Sequence, residues 1–210
     1  MNKNKRYKIL NIFYKDNIFP TTELIFSSAF ECLISVILSA KSKDISVNRV
    51  TKKLYLIANT PQLILSLGIE NLKNYIKQIG LYNNKANNII NTCHMLLKKH
   101  EGKVPNNRID LEQLPGVGRK TANVVLNLIF HKPTIAVDTH VFRVSNRTGF
   151  AVGKTVTIVE KKLLKIIPNK FKLRFHSWFV YHGRYICKSY KPYCKICVIQ
   201  ALCEFKNKNI

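Results

Sequence analysis

Two glycines separated by one residue constrain the fold of this chain more than any other feature. They lie in the segment Leu114-Pro115-Gly116-Val117-Gly118-Arg119-Lys120-Thr121-Ala122. Glycine adopts positive φ without steric cost, so Gly116 and Gly118 predict a tight hairpin. Asp110 is a candidate N-cap for a short helix over 111–113, and apolar residues recur at helical spacing over 121–130. The segment therefore predicts a helix, a glycine hairpin and a second helix.

The backbone of this hairpin predicts a phosphate site. The amides from Gly116 to Arg119 are uncrowded and lie at the start of the second helix, where the partial positive charge favours an anion. The order of glycines differs from the longer loop of nucleotide hydrolases, and no strand pattern precedes it. A phosphate within a polymer backbone therefore fits better than a nucleotide. An ordinary turn between two helices is the alternative.

The remaining chain predicts an all-α protein, because helical patterns recur and no stretch alternates apolar and polar residues. Thr60-Pro61 predicts a helix start, and the apolar residues Leu10, Phe13 and Tyr14 predict an N-terminal helix that packs on the C-terminal part. Predicted helices cover 30–39, 45–58, 61–67, 71–79, 83–100, 139–147, 155–167 and 171–187. The break at 131–133 predicts a domain boundary near Lys132.

Charge and apolar content narrow the class of protein. Lys and Arg number 35 against 11 Asp and Glu, a net charge of +24. This surplus favours a polyanionic partner, although a genome bias toward Lys, Asn and Ile is an alternative source of the charge. No apolar run approaches the ~20 residues that cross a bilayer, and the basic N-terminus lacks the apolar segment of a secretory signal. We therefore expect a cytoplasmic protein without membrane contact.

The cysteines predict a metal centre near the C-terminus. Four of the six follow the pattern Cys-x6-Cys-x2-Cys-x5-Cys, at Cys187, Cys194, Cys197 and Cys203. Closely spaced thiolates suit either a tetrahedral Zn²⁺ or a [4Fe–4S] cluster, and this spacing alone does not choose between them. Disulfides are disfavoured in the cytoplasm. Cys32 and Cys93 lie on apolar helical faces and are predicted core residues.

Taken together, these segments resemble the endonuclease III family of the helix-hairpin-helix, Gly/Pro-rich loop, Asp superfamily. The resemblance runs from Pro20 to the last cysteines and is most specific at 114–122, 137–140, 182–184 and the cysteine spacing. It implies two α-helical domains with a DNA-binding cleft between them. A six-helix domain covers about 22–132, with the helix-hairpin-helix at about 108–130. An iron–sulfur domain combines 1–21 with 133–210, with the cluster loop at 187–203.

The resemblance implies a base-excision repair enzyme with glycosylase and abasic-site lyase activities. Such an enzyme releases oxidised or damaged pyrimidines from double-stranded DNA by base flipping and then cleaves 3′ to the abasic site by β-elimination. Lys120 matches the family's nucleophile, which attacks C1′ and forms a Schiff base. Asp138 matches its carboxylate, and a simple N-cap is the alternative role. One [4Fe–4S] cluster per chain, a monomer, and nucleoid association within the cytoplasm are also implied.

The resemblance further implies a set of DNA-binding residues. They are Lys41, Leu81, Leu114, Gly116, Val117, Gly118, Arg119, Thr121, His140 and Lys191. Leu81 is the expected wedge into the duplex, and a buried connector between helices is its alternative role. Lys41 stands where the family usually has Gln, which helps to fill the space left by the flipped nucleotide. This departure alters the expected contact with the orphaned base.

Three other classes of protein fit less well. An adenine-mismatch glycosylase would share the cluster, but it lacks a lysine at position 120 and has an additional C-terminal domain. A DNA-binding module without catalysis is disfavoured by Lys120 together with Asp138. An iron–sulfur electron carrier is disfavoured as a sole role by the predicted DNA cleft.

Overall fold

The computed structural model describes residues 1–16 and 21–210, and Pro20, where the resemblance begins, lies outside them. The described residues form helices and no strand, which confirms the all-α prediction. Contacts divide the chain into two compact units. A contiguous unit contains residues 22–131, and a discontinuous unit combines 1–21 with 132–210. None of the described helices is long and apolar enough to cross a bilayer.

The contiguous unit is built around one buried helix. Its helices are α2 (Ala29–Ser39), α3 (Asp44–Leu54), α4 (Pro61–Leu67), α5 (Ile69–Ile76), α6 (Tyr82–His100), α7 (Arg108–Gln113) and α8 (Arg119–Leu128). Helix α2 is buried from Phe30 to Leu38 and contacts α3, α6 and α8. A helix that is apolar all round must be covered on all sides, so α2 organises this core. Cys32 and Cys93 are completely buried in it, as predicted.

The discontinuous unit has an aromatic core. Its helices are α1 (Lys3–Asp16), α9 (Thr139–Arg147), α10 (Val156–Ile166) and α11 (Asn169–Tyr181), followed by a π-helical turn, His182–Ile186. Phe13 of α1 stacks on Trp178 of α11 with ring centroids 6.2 Å apart. Ile9 and Leu10 are buried in the same core. The N-terminal helix therefore completes a core that is otherwise formed by the C-terminal part of the chain.

The helix before the hairpin begins earlier than the sequence predicts. It starts at Arg108, and Asn107 is its N-cap: the Oδ1 atom of Asn107 accepts a hydrogen bond from the N–H of Asp110 at 2.9 Å. The prediction of Asp110 as the cap was therefore wrong. Asp110 lies in the first turn instead, where a carboxylate is favoured by the helix dipole.

Other helices also end before their predicted limits, among them α5, which stops at Ile76 and not at Ile79. Helix α3 stops at Leu54 and not near Ala58. The N–H of Ile57 donates to the carbonyl of Leu54, three residues earlier, at 3.1 Å, which is the bond of a tighter turn than the α-helix. Helix α11 stops at Tyr181 as an α-helix. The N–H of Cys187 then donates to the carbonyl of His182 at 2.7 Å, which closes the wider turn of a π-helix.

Candidate active site and metal centre

Apolar residues anchor the glycine hairpin from below. Leu114 and Val117 are 2% and 4% exposed and pack in the core of the contiguous unit, whereas Gly116 and Gly118 are exposed. The N–H of Val117 donates to the carbonyl of Leu114 at 3.0 Å and closes the turn. Leu114 and Val117 can therefore offer only their backbone to a ligand.

Helix α6 fixes the other side of the hairpin. The hydroxyl of Thr92 donates to the carbonyl of Pro115 at 3.0 Å. Gly116 has φ 77°, and a Cβ at this position would lie 3.0 Å from Nδ2 of Asn88. Only glycine satisfies both the positive φ and this close approach.

The Gly116→Ala variant is expected to be destabilised by about 1–2 kcal/mol, because alanine is strained at positive φ and its Cβ would displace Asn88. Gly118 is the matched control. It has φ −92°, and no atom lies within 4 Å of a Cβ built there, so Gly118→Ala should leave stability nearly unchanged. Urea denaturation of both variants checks the contrast, and equal losses of stability would contradict this account of the hairpin.

Helix α8 presents its N-terminus directly after the hairpin. Its N-cap is Gly118, which makes no side-chain capping hydrogen bond, and its first turn holds no acidic residue. Neither a capping side chain nor a carboxylate of this turn competes with an anion for the start of the helix. Lys120 is exposed in this first turn, between the half-buried side chains of Arg119 and Thr121. The arrangement places an amine next to a candidate phosphate site.

Asp138 is the N-cap of α9. Its Oδ1 atom accepts a hydrogen bond from the N–H of Val141 at 2.7 Å, and its side chain is half-buried behind the buried segment 135–137. The capping role considered from the sequence is therefore present in the structure. A cap fixes the position of the carboxylate, which is compatible with a second role in catalysis.

His140 follows in the first turn of α9 and is also half-buried. Its Nδ1 atom lies 3.3 Å from a guanidinium nitrogen of Arg143. Burial lowers the pKa of the His140 imidazole. The positive charges of Arg143 and Arg184 lower this pKa further, and the negative charge of Asp138 partly opposes the decrease. The imidazole is therefore neutral near pH 7.

Lys41 and Leu81 are both exposed and both have left-handed backbone, with φ 54° and 61°. Leu81 is 59% exposed, so the alternative of a buried connector was wrong. The two residues lie in neighbouring loops: a Cβ built on Gly80 would be 3.8 Å from the carbonyl oxygen of Lys41.

The four C-terminal cysteines line one cavity of about 340 Å³, part of which is open to solvent. Cys187 is buried, and the other three are half-buried. Burial raises the pKa of the Cys197 thiol to about 11 and also raises that of Cys203. Bound metal would have to displace these protons. Among the described residues, no group of His, Cys, Asp and Glu is arranged to hold a metal ion. Thiolates are the ligands of a [4Fe–4S] cluster, so the four cysteines that line this cavity supply its complete donor set.

Two arginines of α9 support the cysteine loop, and neither was predicted from the sequence. Arg143 donates to the carbonyl of Gly183 at 2.8 Å and also to that of Cys187. Arg147 donates to the carbonyl of Ser189 at 2.9 Å and lies 3.6 Å from the sulfur of Cys187. Their spacing of four residues, which places two cations on one helix face, was the available signal.

Lys191 lies in this loop, exposed, with φ 46° and its ammonium 5.5 Å from the ring centroid of Tyr190. His182, from the predicted His-Gly-Arg segment, is buried, with Nε2 3.7 Å from the sulfur of Cys197. The loop thus combines a basic outer face with a thiol-lined interior.

Residues 34–169 match the model of the HhH-GPD superfamily of base excision DNA repair proteins. The chain is 64% identical over 208 residues to endonuclease III of Buchnera aphidicola subsp. Acyrthosiphon pisum, covering 99% of both chains. It is 60% identical over 208 residues to endonuclease III of Escherichia coli K12, again covering 99% of both.

Solved structures give the same result. A non-covalent endonuclease III–DNA complex and a trapped endonuclease III–DNA covalent intermediate each match with a TM-score of 0.91 and 44% identity. Both matches cover 97% of this chain and 96% of the other. The chain therefore belongs to the endonuclease III family within the HhH-GPD superfamily of base excision DNA repair proteins.

Proposed function

We propose that this DNA glycosylase and abasic-site lyase acts on oxidised or otherwise damaged pyrimidines in double-stranded DNA, with Lys120 as its nucleophile. The repair activity follows from membership of the family. One observation carries the assignment of the nucleophile. Lys120 is an exposed amine in the first turn of α8, directly after an exposed glycine hairpin whose N–H groups can hold a DNA phosphate.

The chemistry requires an amine. Its attack on C1′ expels the base and leaves a Schiff base between Lys120 and the opened sugar. The iminium acidifies the C2′ proton, so β-elimination breaks the strand on the 3′ side. A hydroxyl group or an activated water could release the base but could not form the iminium. We assign Asp138 to accept the proton of the amine or to stabilise positive charge that develops on the sugar.

The remaining predicted residues are assigned to DNA binding. The backbone from Leu114 to Gly118, with Arg119 and Thr121, and the side chain of Lys191 would contact phosphates. Leu81 would enter the duplex as a wedge when the nucleotide is flipped, a step that costs a few kcal/mol and is cheaper at a damaged pair. Lys41 would reach a phosphate or a base edge. His140, neutral near pH 7, would approach the DNA as a hydrogen-bonding group.

The four thiols fit one [4Fe–4S] cluster per chain, held by Cys187, Cys194, Cys197 and Cys203. When bound, the cluster supplies covalent links among the thiolates and no chemistry on the base. We propose that the discontinuous unit is the iron–sulfur domain and that the contiguous unit is the helix-hairpin-helix domain. We also propose a monomer in the cytoplasm that associates with the nucleoid by binding DNA.

Cys197→Ser is expected to lose the visible colour of the cluster and several kcal/mol of stability, because metal binding is coupled to folding of the loop. A loss of 3 kcal/mol would lower Tm by roughly 6–12 °C. Cys93→Ala is the control. Cys93 is buried in the contiguous unit, so its substitution should leave the colour of the cluster intact. Iron and sulfide analysis with thermal unfolding provides the readout. A colourless Cys197→Ser protein of unchanged stability and activity would refute the structural role.

Borohydride trapping tests the proposed reaction. The protein is mixed with duplex DNA that carries one oxidised pyrimidine, and borohydride is added to reduce any Schiff base. A covalent protein–DNA adduct supports the nucleophile mechanism. Base release without an adduct would replace it with a water-activating mechanism led by Asp138. Binding without either product would leave only a DNA-binding module.

A further inference from the structure

Lys85 is a buried lysine that the proposed reaction does not use. It lies in the first turns of α6 and is 5% exposed. Its ammonium donates to the carbonyls of Leu38 and Ala40 at 2.9 and 2.6 Å and to the hydroxyl of Ser42 at 3.1 Å. Burial lowers the pKa of Lys85. An ammonium has three N–H donors, and all three find acceptors here, which accounts for a lysine in a buried position.

These contacts connect two loops that the sequence analysis assigned to DNA binding. Ala40 and Ser42 are the chain neighbours of Lys41. The ammonium of Lys85 therefore forms hydrogen bonds with the loop on both sides of Lys41. Leu81 is the N-cap of α6, and its carbonyl accepts the first hydrogen bond of that helix, from the backbone N–H of Lys85 at 3.0 Å. The side chain of Lys85 thus ties the loop that carries Lys41 to the start of the helix that Leu81 caps.

The conformation of both loops requires such support. Lys41 and Leu81 have left-handed backbone, which is unfavourable for residues other than glycine and persists only where the surroundings impose it. Both side chains remain exposed, so their own packing does not impose it. The ammonium of Lys85 fixes the backbone on both sides of Lys41, and the loop of Leu81 approaches that backbone at Gly80, where a Cβ would lie 3.8 Å from the carbonyl oxygen of Lys41.

We propose that Lys85 is a positioning residue that holds Lys41 and Leu81 next to each other. The side chains of these two residues then contact the duplex together when a nucleotide is flipped. This inference rests on the DNA-binding roles proposed for Lys41 and Leu81. Lys85 does not touch DNA. It keeps two exposed side chains in a fixed orientation before DNA arrives, so that extrusion of the nucleotide does not have to order the loops.

The test measures base extrusion in the full-length protein. Stopped-flow fluorescence follows 2-aminopurine placed beside thymine glycol, an oxidised pyrimidine, in a duplex. Lys85→Met keeps the length of the side chain and removes the three N–H donors. We expect extrusion to slow about tenfold, the effect of a 1.36 kcal/mol rise in the barrier. Ser42→Ala removes one acceptor and serves if Lys85→Met folds poorly, with a smaller slowing expected.

Ile89→Val controls for a purely structural effect. Ile89 is buried in the same helix and belongs to neither loop, and its shortening loosens the core. It should lower Tm but leave the extrusion rate unchanged. Positioning also predicts non-additivity: in a Lys41→Ala/Leu81→Ala background, Lys85→Met should slow extrusion less than twofold, because the side chains that it orients are gone.

The outcomes separate this inference from the proposed function. If Lys41→Ala and Leu81→Ala slow extrusion but Lys85→Met and Ser42→Ala do not, the positioning role is overturned and the DNA contacts stand. An undiminished effect of Lys85→Met in the doubly substituted background would also overturn it. If Lys41→Ala and Leu81→Ala extrude the nucleotide at the wild-type rate, the proposed DNA contacts are wrong, and the positioning role is wrong with them.

Discussion

Lys120→Ala is expected to give no borohydride-trapped adduct and to lower the rate of strand cleavage by at least about 10³-fold, because alanine has no amine to attack C1′. Lys120 is exposed at the start of α8, so removing its side chain should leave folding intact. Gel analysis of trapped complexes on thymine glycol duplexes measures the adduct, and a cleavage assay measures the rate. DNA affinity should change far less than the rate, since the hairpin amides that bind phosphate remain.

The matched control is Lys98→Ala, which removes an exposed lysine from α6 of the same unit and lowers the net charge equally. It should retain both the adduct and the cleavage rate. If Lys120→Ala still formed the adduct, another amine of the protein would be the nucleophile. If both variants lost activity together, the effect would be one of net charge on DNA binding.

Asp138→Asn is expected to lower the rate of base release by about 10²–10⁴-fold with stability unchanged to within about 0.5 kcal/mol. The two effects separate because Asn caps helices as well as Asp does. Its side-chain oxygen can accept the N–H of Val141 as Oδ1 of Asp138 does, but it cannot accept a proton. Single-turnover kinetics and urea denaturation measure the two quantities.

Asp138→Ala completes the comparison. It should lose the same activity and, in addition, about 1 kcal/mol of stability, because the cap is gone. The proposed catalytic role would be wrong if Asp138→Asn kept full activity while Asp138→Ala lost both activity and stability. Asp138 would then be only the cap that its place before α9 supports.

The sequence predicted features that depend on local chemistry. Thr60 was expected to begin a helix, and its hydroxyl does accept the N–H of Leu63 at 3.2 Å. A helix cap was the alternative role considered for Asp138, and Asp138 does cap α9. The hairpin was predicted because both glycines can adopt positive φ; Gly116 does, at 77°, whereas Gly118 has φ −92°. Each of these predictions depends on hydrogen bonds or steric limits among residues that are close together in the chain, so the local sequence is sufficient to predict them.

Features that depend on distant contacts were not predicted. The π-helical turn after α11 is followed by Cys187, whose carbonyl accepts hydrogen bonds from Arg143, a residue 44 positions earlier. Lys85 was not singled out, since its acceptors lie on a helix and a loop more than 40 positions away. Such partners are set by tertiary packing, and no periodicity in the sequence marks them.

The discontinuous unit has a consequence for synthesis on the ribosome. Ile9, Leu10 and Phe13 pack against residues near 175–179, so their partners emerge only after the whole contiguous unit has been made. At about 5–20 residues per second, the apolar face of α1 waits roughly 8–34 s for its core. The contiguous unit has its complete set of core residues by 131 and can fold during that interval. The nascent chain thus matures from its middle outwards, with its first helix among the last elements to be buried.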